Sequence, residues 1–481
     1  MMGKRWASAL AIAATLSACG GGGGGGTTAT ATTGTTGTAT PTPATGACTL
    51  RDRQDWAFAQ LKEWYLFPET LPTSLDPTPY ATVGDYVDAL TATARGQRRD
   101  RYFTYLTSIR SEDAYYDSGS SAGFGIRLST DAAAGRVFVS EAFEDAPALA
   151  AGIDRGTEIL AVGTSTGDLR TVSAIIQAEG TAGVTGALGP STAGTTRLLR
   201  IKDASGGTRD VTVTKADYSL TPVSSRYGAK VIAEGGKQYG YLNLRTFIST
   251  ADPALRQAFA QFRAAGVTDV VIDLRYNGGG LVSISELIGD LLGRARSTGD
   301  VLDYTTFRPE KASSDTTRFF QPQAQSIAPT RVAFIGTSGT ASASELTINA
   351  QIPYIHANAA LIGTNTYGKP VGQIALDRSQ CDDRLRVIAF ATQNANRQGA
   401  YFDGLATVVE ASCQAADDLN HPLGDPAEGS TRAALNFLEG VSCTRIATGE
   451  VGTQSLRAEG KRELLTPAHP DTAQRETPGL F

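Results

Sequence analysis

Short apolar runs alternating with helical spacing constrain this chain more than any other feature. Tyr239-Gly-Tyr-Leu-Asn-Leu244, Val270-Val-Ile-Asp-Leu274 and Arg331-Val-Ala-Phe-Ile-Gly336 have the length and apolarity of buried strands. Between the first two, Pro253 to Ala265 carries the spacing of an amphipathic helix. Strands that alternate with helices of this length build an α/β domain, and ligand sites in such domains gather where strand ends meet loops. Two loops stand at such ends: Asp273-Leu-Arg-Tyr-Asn-Gly-Gly-Gly280, and Gly336-Thr-Ser-Gly-Thr-Ala-Ser-Ala-Ser-Glu345 ahead of a helical stretch through Leu346 and Ile348.

The second loop sets the small serine Ser342 where a strand gives way to a helix, at the positive end of the helix dipole. A hydroxyl there is a candidate nucleophile, with free amides nearby to hold a developing oxyanion. The structural alternative is a capping box, which Ser342-x-x-Glu345 also spells. A serine needs a base to attack. The three histidines supply one poorly: His469 and His421 lie in tail and loop, and His356 follows by fourteen residues, roughly 20 Å along a helix. Lys369, in Gly363-Thr-Asn-Thr-Tyr-Gly-Lys-Pro-Val-Gly-Gln373, could serve if desolvation keeps its amine neutral. Gln373 would share a strand face with it and orient the amine.

The rest of the chain divides by composition. Lys4 and Arg5 precede an apolar run from Trp6 to Leu16, too short to cross a bilayer and of signal-peptide type. The run ends in Leu16-Ser-Ala-Cys19, which looks like the lipobox of bacterial lipoproteins, with Cys19 the lipidated residue. The expected location is the periplasmic face of a bacterial membrane, the outer membrane before the inner. Residues 20–47, almost wholly Gly, Thr, Ala and Pro, cannot bury enough surface to fold and read as a tether. Residues 48–117 have helical spacing through Trp56, Leu61, Tyr86 and Leu90 and are expected to form a small helical cap. Residues 446–481 are polar with several prolines and read as a loose tail. A net charge of −5 leaves no basic footprint for nucleic acid. Beside Cys19 stand Cys48, Cys381, Cys413 and Cys443, which an exported protein can pair; Cys381 with Cys413 and Cys48 with Cys443 is the expected arrangement. No C-x-x-C pair or histidine cluster suggests a metal.

Residues 118–217 resemble a PDZ domain, through Ser121-Ala-Gly-Phe-Gly-Ile126, Ala146-Pro-Ala-Leu-Ala-Ala-Gly-Ile153 and Gly156-Thr-Glu-Ile-Leu-Ala-Val-Gly163 in that order. The resemblance implies that Gly123, Phe124, Gly125 and Ile126 receive the carboxylate of a peptide added as a strand to the sheet edge. The chain itself ends in Gly479-Leu-Phe481, an apolar terminus of the kind such grooves take, although composition favours disorder for the tail. Asp273-Leu-Arg-x-Asn-Gly-Gly-Gly280, Thr340-Ala-Ser-Ala-Ser-Glu345 and Thr366-Tyr-Gly-Lys369 with Gln373 together resemble the carboxy-terminal processing, or tail-specific, serine peptidases. That resemblance implies a crotonase-like ββα core over residues 218–445, Ser342 as nucleophile, Lys369 as base and Gln373 as its orienting partner. It also implies an oxyanion site from the amide of Ala343 and one from Gly279 or Gly280, with Glu345 and Thr366 in support. The function implied is an endopeptidase for proteins with apolar C-termini, working through an acyl-enzyme and without a cofactor. The alternative is a catalytically inactive, peptide-binding PDZ lipoprotein. An acyl-CoA-processing relative of the crotonase layout would need a nucleotide site, for which there is no phosphate-binding pattern. Pro370 departs from the glycine usual in that family, and Ile352-Pro353 interrupts the helix after Ser342.

Overall fold

A computed structural model describes residues 48–447 and 462–481. The expected signal peptide with Cys19 and the expected 20–47 tether lie outside the described residues. The central sheet has six strands in the order Ala229–Glu234, Lys237–Asn243, Asp269–Asp273, Arg331–Gly336, Ala359–Gly363 and Ala411–Gln414. The first pair is antiparallel and every later pair is parallel. Strand alternation explains why these runs are apolar throughout. Val270, Ile272, Val332, Phe334 and Leu361 point into one core, shared with helices Ala251–Ala264, Val282–Leu292 and Ala343–Ile355. Val271, Ala333, Ile335, Ala360 and Ile362 point into the other, covered by Gly429–Leu438. The expected helix near Pro253 is Ala251–Ala264, which buries Leu255, Ala258, Phe259 and Phe262 at helical spacing.

A second sheet joins Tyr105–Ser108, Asp383–Gln393, Val301–Phe307 and Thr316–Phe319, with Val371–Arg378 also paired to Asp383–Gln393. Helices Leu50–Trp64 and Val83–Leu90 bury Leu61, Val87 and Leu90 against it. Residues 48–117 are therefore not a purely helical cap, because Tyr105–Ser108 is a strand of this sheet in register with Asp383–Arg386. A third sheet runs in the order Glu463–Leu464, Ile126–Asp131, Arg136–Ala142, Glu158–Gly163, Thr196–Lys202 and Thr208–Thr214, with helix Val172–Leu188 packed on it.

The cysteine pairing differs from expectation. Cys48 is bonded to Cys381 and Cys413 to Cys443, with Cα separations of 5.6 and 5.4 Å. The turn between Val371–Arg378 and Asp383–Gln393 carries Cys381 to the start of helix Leu50–Trp64, where Cys48 lies. Cys413 belongs to the last strand of a different sheet. Only tertiary placement sets these partners. The tail also differs: residues 462–481 are packed, with Leu465, Ala473, Leu480 and Phe481 buried.

Asp303, on Val301–Phe307, is 3% exposed and faces Glu286, Asp290 and Arg318. Burial and the neighbouring carboxylates push it up to about 7. A carboxyl raised in the folded chain is still protonated where the unfolded chain has ionised, so stability falls as pH rises from about 4 to 7. Asp303→Asn is expected to raise stability at pH 8 by on the order of 2 kcal/mol and to leave it nearly unchanged at pH 4, measured by urea unfolding.

Candidate active site

Ser342 stands at the junction of strand Arg331–Gly336 and helix Ala343–Ile355 with φ 55° and ψ −117°. Such angles strain any residue but glycine, so surrounding structure must hold them. That structure is the Asp273–Gly280 loop. Thr340 Oγ1 donates to Leu274 O at 2.8 Å, and Ala341 N and Ser344 Oγ both donate to Asn277 O at 3.0 Å. A Cβ on Gly279 would lie 2.8 Å from the Ser342 Cβ, so glycine alone fits there. Asn277 is fixed in turn by its Nδ2, which donates to Leu244 O at 2.8 Å.

Glu345, fully buried, ties Ser342 to Lys369. Its Oε2 accepts the Ser342 amide at 3.1 Å and the Lys369 amide at 2.7 Å. Its Oε1 accepts from Thr366 Oγ1 at 2.6 Å and from the Gly368 amide at 2.7 Å. Burial pushes this carboxyl above its usual range and the four donors pull it back. The capping-box register seen in the sequence is thus present, and the carboxylate in it also anchors the lysine loop.

Lys369 precedes strand Val371–Arg378, and its Nζ donates to Gln373 Oε1 at 2.9 Å. Gln373 is held by its Nε2, which donates to Phe103 O. The amine also lies 5.2 Å from the Phe103 ring centre. Enclosure lowers the lysine below its ordinary value; Glu476 and Asp100 oppose this, and Arg475 and Arg386 reinforce it. Arg101 clamps the loop from outside, its Nη2 donating to Tyr367 O at 2.7 Å and Gly368 O at 2.6 Å. Among the described residues no hydrogen bond joins Lys369 Nζ to Ser342 Oγ; what brings the two segments together is the shared Glu345 oxygen.

A cavity of about 460 Å³ opens here, lined by Lys369, Phe103, Tyr367, Gly278, Ala341 and Arg475 among others. Two amides of the glycine loop already have acceptors. Gly279 N donates to Asn277 Oδ1 at 2.9 Å and Gly278 N donates to Glu476 O at 2.9 Å. Ala343 opens the helix beside Ser342. Phe103, Arg101, Asn277 and Glu476 were missed by sequence reasoning. Asn277 sat inside a motif already noted, whereas the other three carried no local signal.

The Gly123–Ile126 segment pairs with Phe481. Gly125 N and Ile126 N donate to Phe481 O at 3.0 and 3.3 Å, and Phe481 N donates to Ile126 O at 2.9 Å. The Phe481 side chain is buried among Phe124, Ile126, Val184 and Leu188. Of the histidines, His356 caps the far end of the Ser342 helix beside Glu410, His421 bonds Asp418, and His469 lines the cavity from the tail.

Residues 238–400, which hold Ser342, Lys369 and Gln373, match peptidase family S41. The chain is 29% identical over 280 residues to the C-terminal processing peptidase, chloroplastic, of Tetradesmus obliquus, covering 54% of this chain and 54% of that protein. It is 26% identical over 353 residues to carboxyl-terminal-processing peptidase 3, chloroplastic, of Arabidopsis thaliana, covering 71% of this chain and 62% of that one. The chain thus spans about half to three-fifths of the length of these curated relatives. A solved structure from Bacteroides fragilis NCTC 9343, assigned to the S41 proteases, shares the fold with a TM-score of 0.61, covering 80% of this chain and 97% of that one at 23% identity. The matched segment spans the serine turn, the glycine loop and the lysine loop, so residues 238–400 form a peptidase family S41 domain and the chain is similar to carboxyl-terminal-processing peptidases.

Proposed function

We propose that the chain is a serine endopeptidase in which Ser342 attacks the scissile carbonyl, Lys369 takes and returns the proton, and Gln373 orients the amine. The observation that carries the reading is the Glu345 carboxylate, whose one oxygen accepts the amides of both Ser342 and Lys369 while the lysine is enclosed and its affinity for a proton lowered. A neutral amine can accept the Ser342 proton as the hydroxyl oxygen bonds to the substrate carbonyl carbon. The same proton then leaves on the departing amine, and water clears the ester by the reverse use of the lysine. The oxyanion is assigned to the Ala343 amide with one from Gly279 or Gly280; Gly279 would first have to release Asn277 Oδ1. No metal or organic cofactor enters this scheme.

In the same proposal the third sheet, residues 118–217, is a PDZ domain that selects proteins with apolar C-termini through Gly123, Phe124, Gly125 and Ile126. The hydrogen bonds at Gly125 and Ile126 to a chain terminus support this. The core, residues 218–445, is read as crotonase-like. The protein is placed at the periplasmic face of a bacterial membrane, lipid-anchored through Cys19. Among the described residues no helix is long and apolar enough to cross a membrane.

A fluorophosphonate probe is expected to label the native chain on Ser342 and to leave a Ser342→Ala chain unlabelled. The same substitution should lower cleavage of an unstructured polypeptide by at least about a thousandfold. Full cleavage by the alanine variant would reject the assignment and favour a peptide-binding role for the core.

A further inference from the structure

The last twenty residues occupy two sites at once. Glu463–Leu464 pairs with Ser129 and Thr130 on the edge strand Ile126–Asp131. The extreme terminus lies along the same strand: Leu128 N donates to Gly479 O at 2.8 Å, and Leu480 bridges to Arg127. Phe481 seats its carboxyl end on two amides and its ring in an apolar pocket, as a strand added to a sheet does. Between these segments the chain crosses the catalytic cavity. Glu463, Leu464, His469, Arg475 and Glu476 line it opposite Lys369. Glu476 O accepts the Gly278 amide, and the Glu476 carboxylate accepts from Tyr116 Oη at 3.1 Å.

The tail is packed closely along its length. Arg127, fully buried, donates from Nη1 to Pro478 O at 2.5 Å and to Tyr276 O at 2.8 Å, linking the tail to the glycine loop. A Cβ on Gly278 would lie 2.2 Å from Arg475 O, and one on Gly123 would lie 2.8 Å from the Phe481 carbonyl carbon. Thr477 Oγ1 and Tyr115 Oη lie 3.1 Å apart, and Leu480 is buried with Phe143 and Tyr218.

We infer that the segment 462–481 is the resident occupant of both the groove at Gly123–Ile126 and the catalytic cleft, and that a substrate ending in an apolar residue followed by an aromatic carboxylate gains entry by displacing it. The consequence for cleavage rests on the peptidase reading above; the occupancy of the groove does not. A tethered occupant lowers the apparent affinity of any free peptide by the fraction of chains in which the groove is open. It also carries a second effect. The charged groups facing Lys369 are Glu476 and Arg475 from the tail, Asp100 ahead of Phe103, and Arg386 from strand Asp383–Gln393, with Glu345 on the lysine's backbone. The Glu476 carboxylate favours the ammonium form and Arg475 opposes it, so the seated tail blocks the cleft and also sets two opposed charges beside the base.

The test uses the full chain, its Phe481→Asp and Glu476→Gln variants, and a fluorescein-labelled peptide ending in Gly-Leu-Phe with a free carboxylate. In Phe481→Asp the tail loses its pocket, and fluorescence anisotropy is expected to show peptide binding at least about tenfold tighter than in the native chain. An amidated peptide is expected to bind neither. Casein cleavage by Phe481→Asp should rise by a similar factor, and Glu476→Gln should move the acid limb of the pH–rate profile to lower pH with the groove still filled. Equal peptide affinity in native and Phe481→Asp chains of equal thermal stability overturns the inference. If Phe481→Asp fails to fold, an unshifted profile in Glu476→Gln together with tight peptide binding by the native chain overturns it. Tighter binding without any cleavage would uphold the occupied groove and reject the peptidase reading instead.

Discussion

Lys369→Met is expected to lower kcat/KM on an unstructured polypeptide by about a thousandfold, a typical share for a general acid–base group. Methionine keeps the length and apolar bulk of the side chain beside Phe103, so thermal stability should stay close to native and the loss can be read as chemistry. The reason lies in the amine's surroundings. It has Gln373 Oε1 at 2.9 Å as a hydrogen-bond acceptor and an aromatic face on one side, and enclosure lowers its proton affinity. A lysine so placed is poised to lose its proton at lower pH than an exposed one. With this lysine as the base, activity should rise with pH as the ammonium deprotonates and fall away below that point. A variant retaining native kcat/KM would remove the lysine from the mechanism.

Glu345→Ala should be the most damaging single change to the site's architecture. It leaves the amides of Ser342, Gly368 and Lys369 and the Thr366 hydroxyl without their acceptor in a buried place. Each unsatisfied buried group costs about 1–3 kcal/mol, and partial relaxation should bring the total loss of stability to on the order of 4 kcal/mol. Cleavage should fall by more than about a hundredfold in chains that remain folded, because the serine turn and the lysine loop lose their common anchor. Glu345→Gln, which keeps one acceptor oxygen, should fall between. Urea unfolding followed by peptide cleavage separates the two losses. Native stability in the alanine variant would mean that the carboxylate does not hold the loops.

The parts of this arrangement that were legible beforehand are those encoded locally. The apolar strand Arg331–Gly336, the small-residue turn after it and the register of Ser342 with Glu345 lie within fifteen residues, and the structure keeps them together. Lys369 and Gln373 stand four residues apart, the spacing of neighbours on one face of an extended strand. Their hydrogen bond forms, although Lys369 lies before the strand and the pairing shifts register between Gly372 and Gln373. Phe103 and Arg101 reach the lysine from the far end of the chain, and nothing in Arg101-Tyr-Phe-Thr-Tyr-Leu106 marks them apart from other aromatic and basic residues. The order of the tail is hidden in the sequence for a different reason. Its few apolar residues have no period because each serves a separate contact: Leu464 against Gly339, Leu480 beside Tyr218, and Phe481 in the groove. Composition registers that as a loose polymer, whereas pairing with an existing sheet edge supplies the missing order.

The relation between Ser342 and Lys369 is tested most directly by the pH dependence of fluorophosphonate labelling at Ser342, followed by mass spectrometry in native and Lys369→Met chains. The native rate should climb with pH and reach half its limit below the ordinary lysine value of 10.5, while the variant should react slowly and with no such rise. Identical profiles in the two chains would contradict the assignment of the lysine as the group that activates the serine.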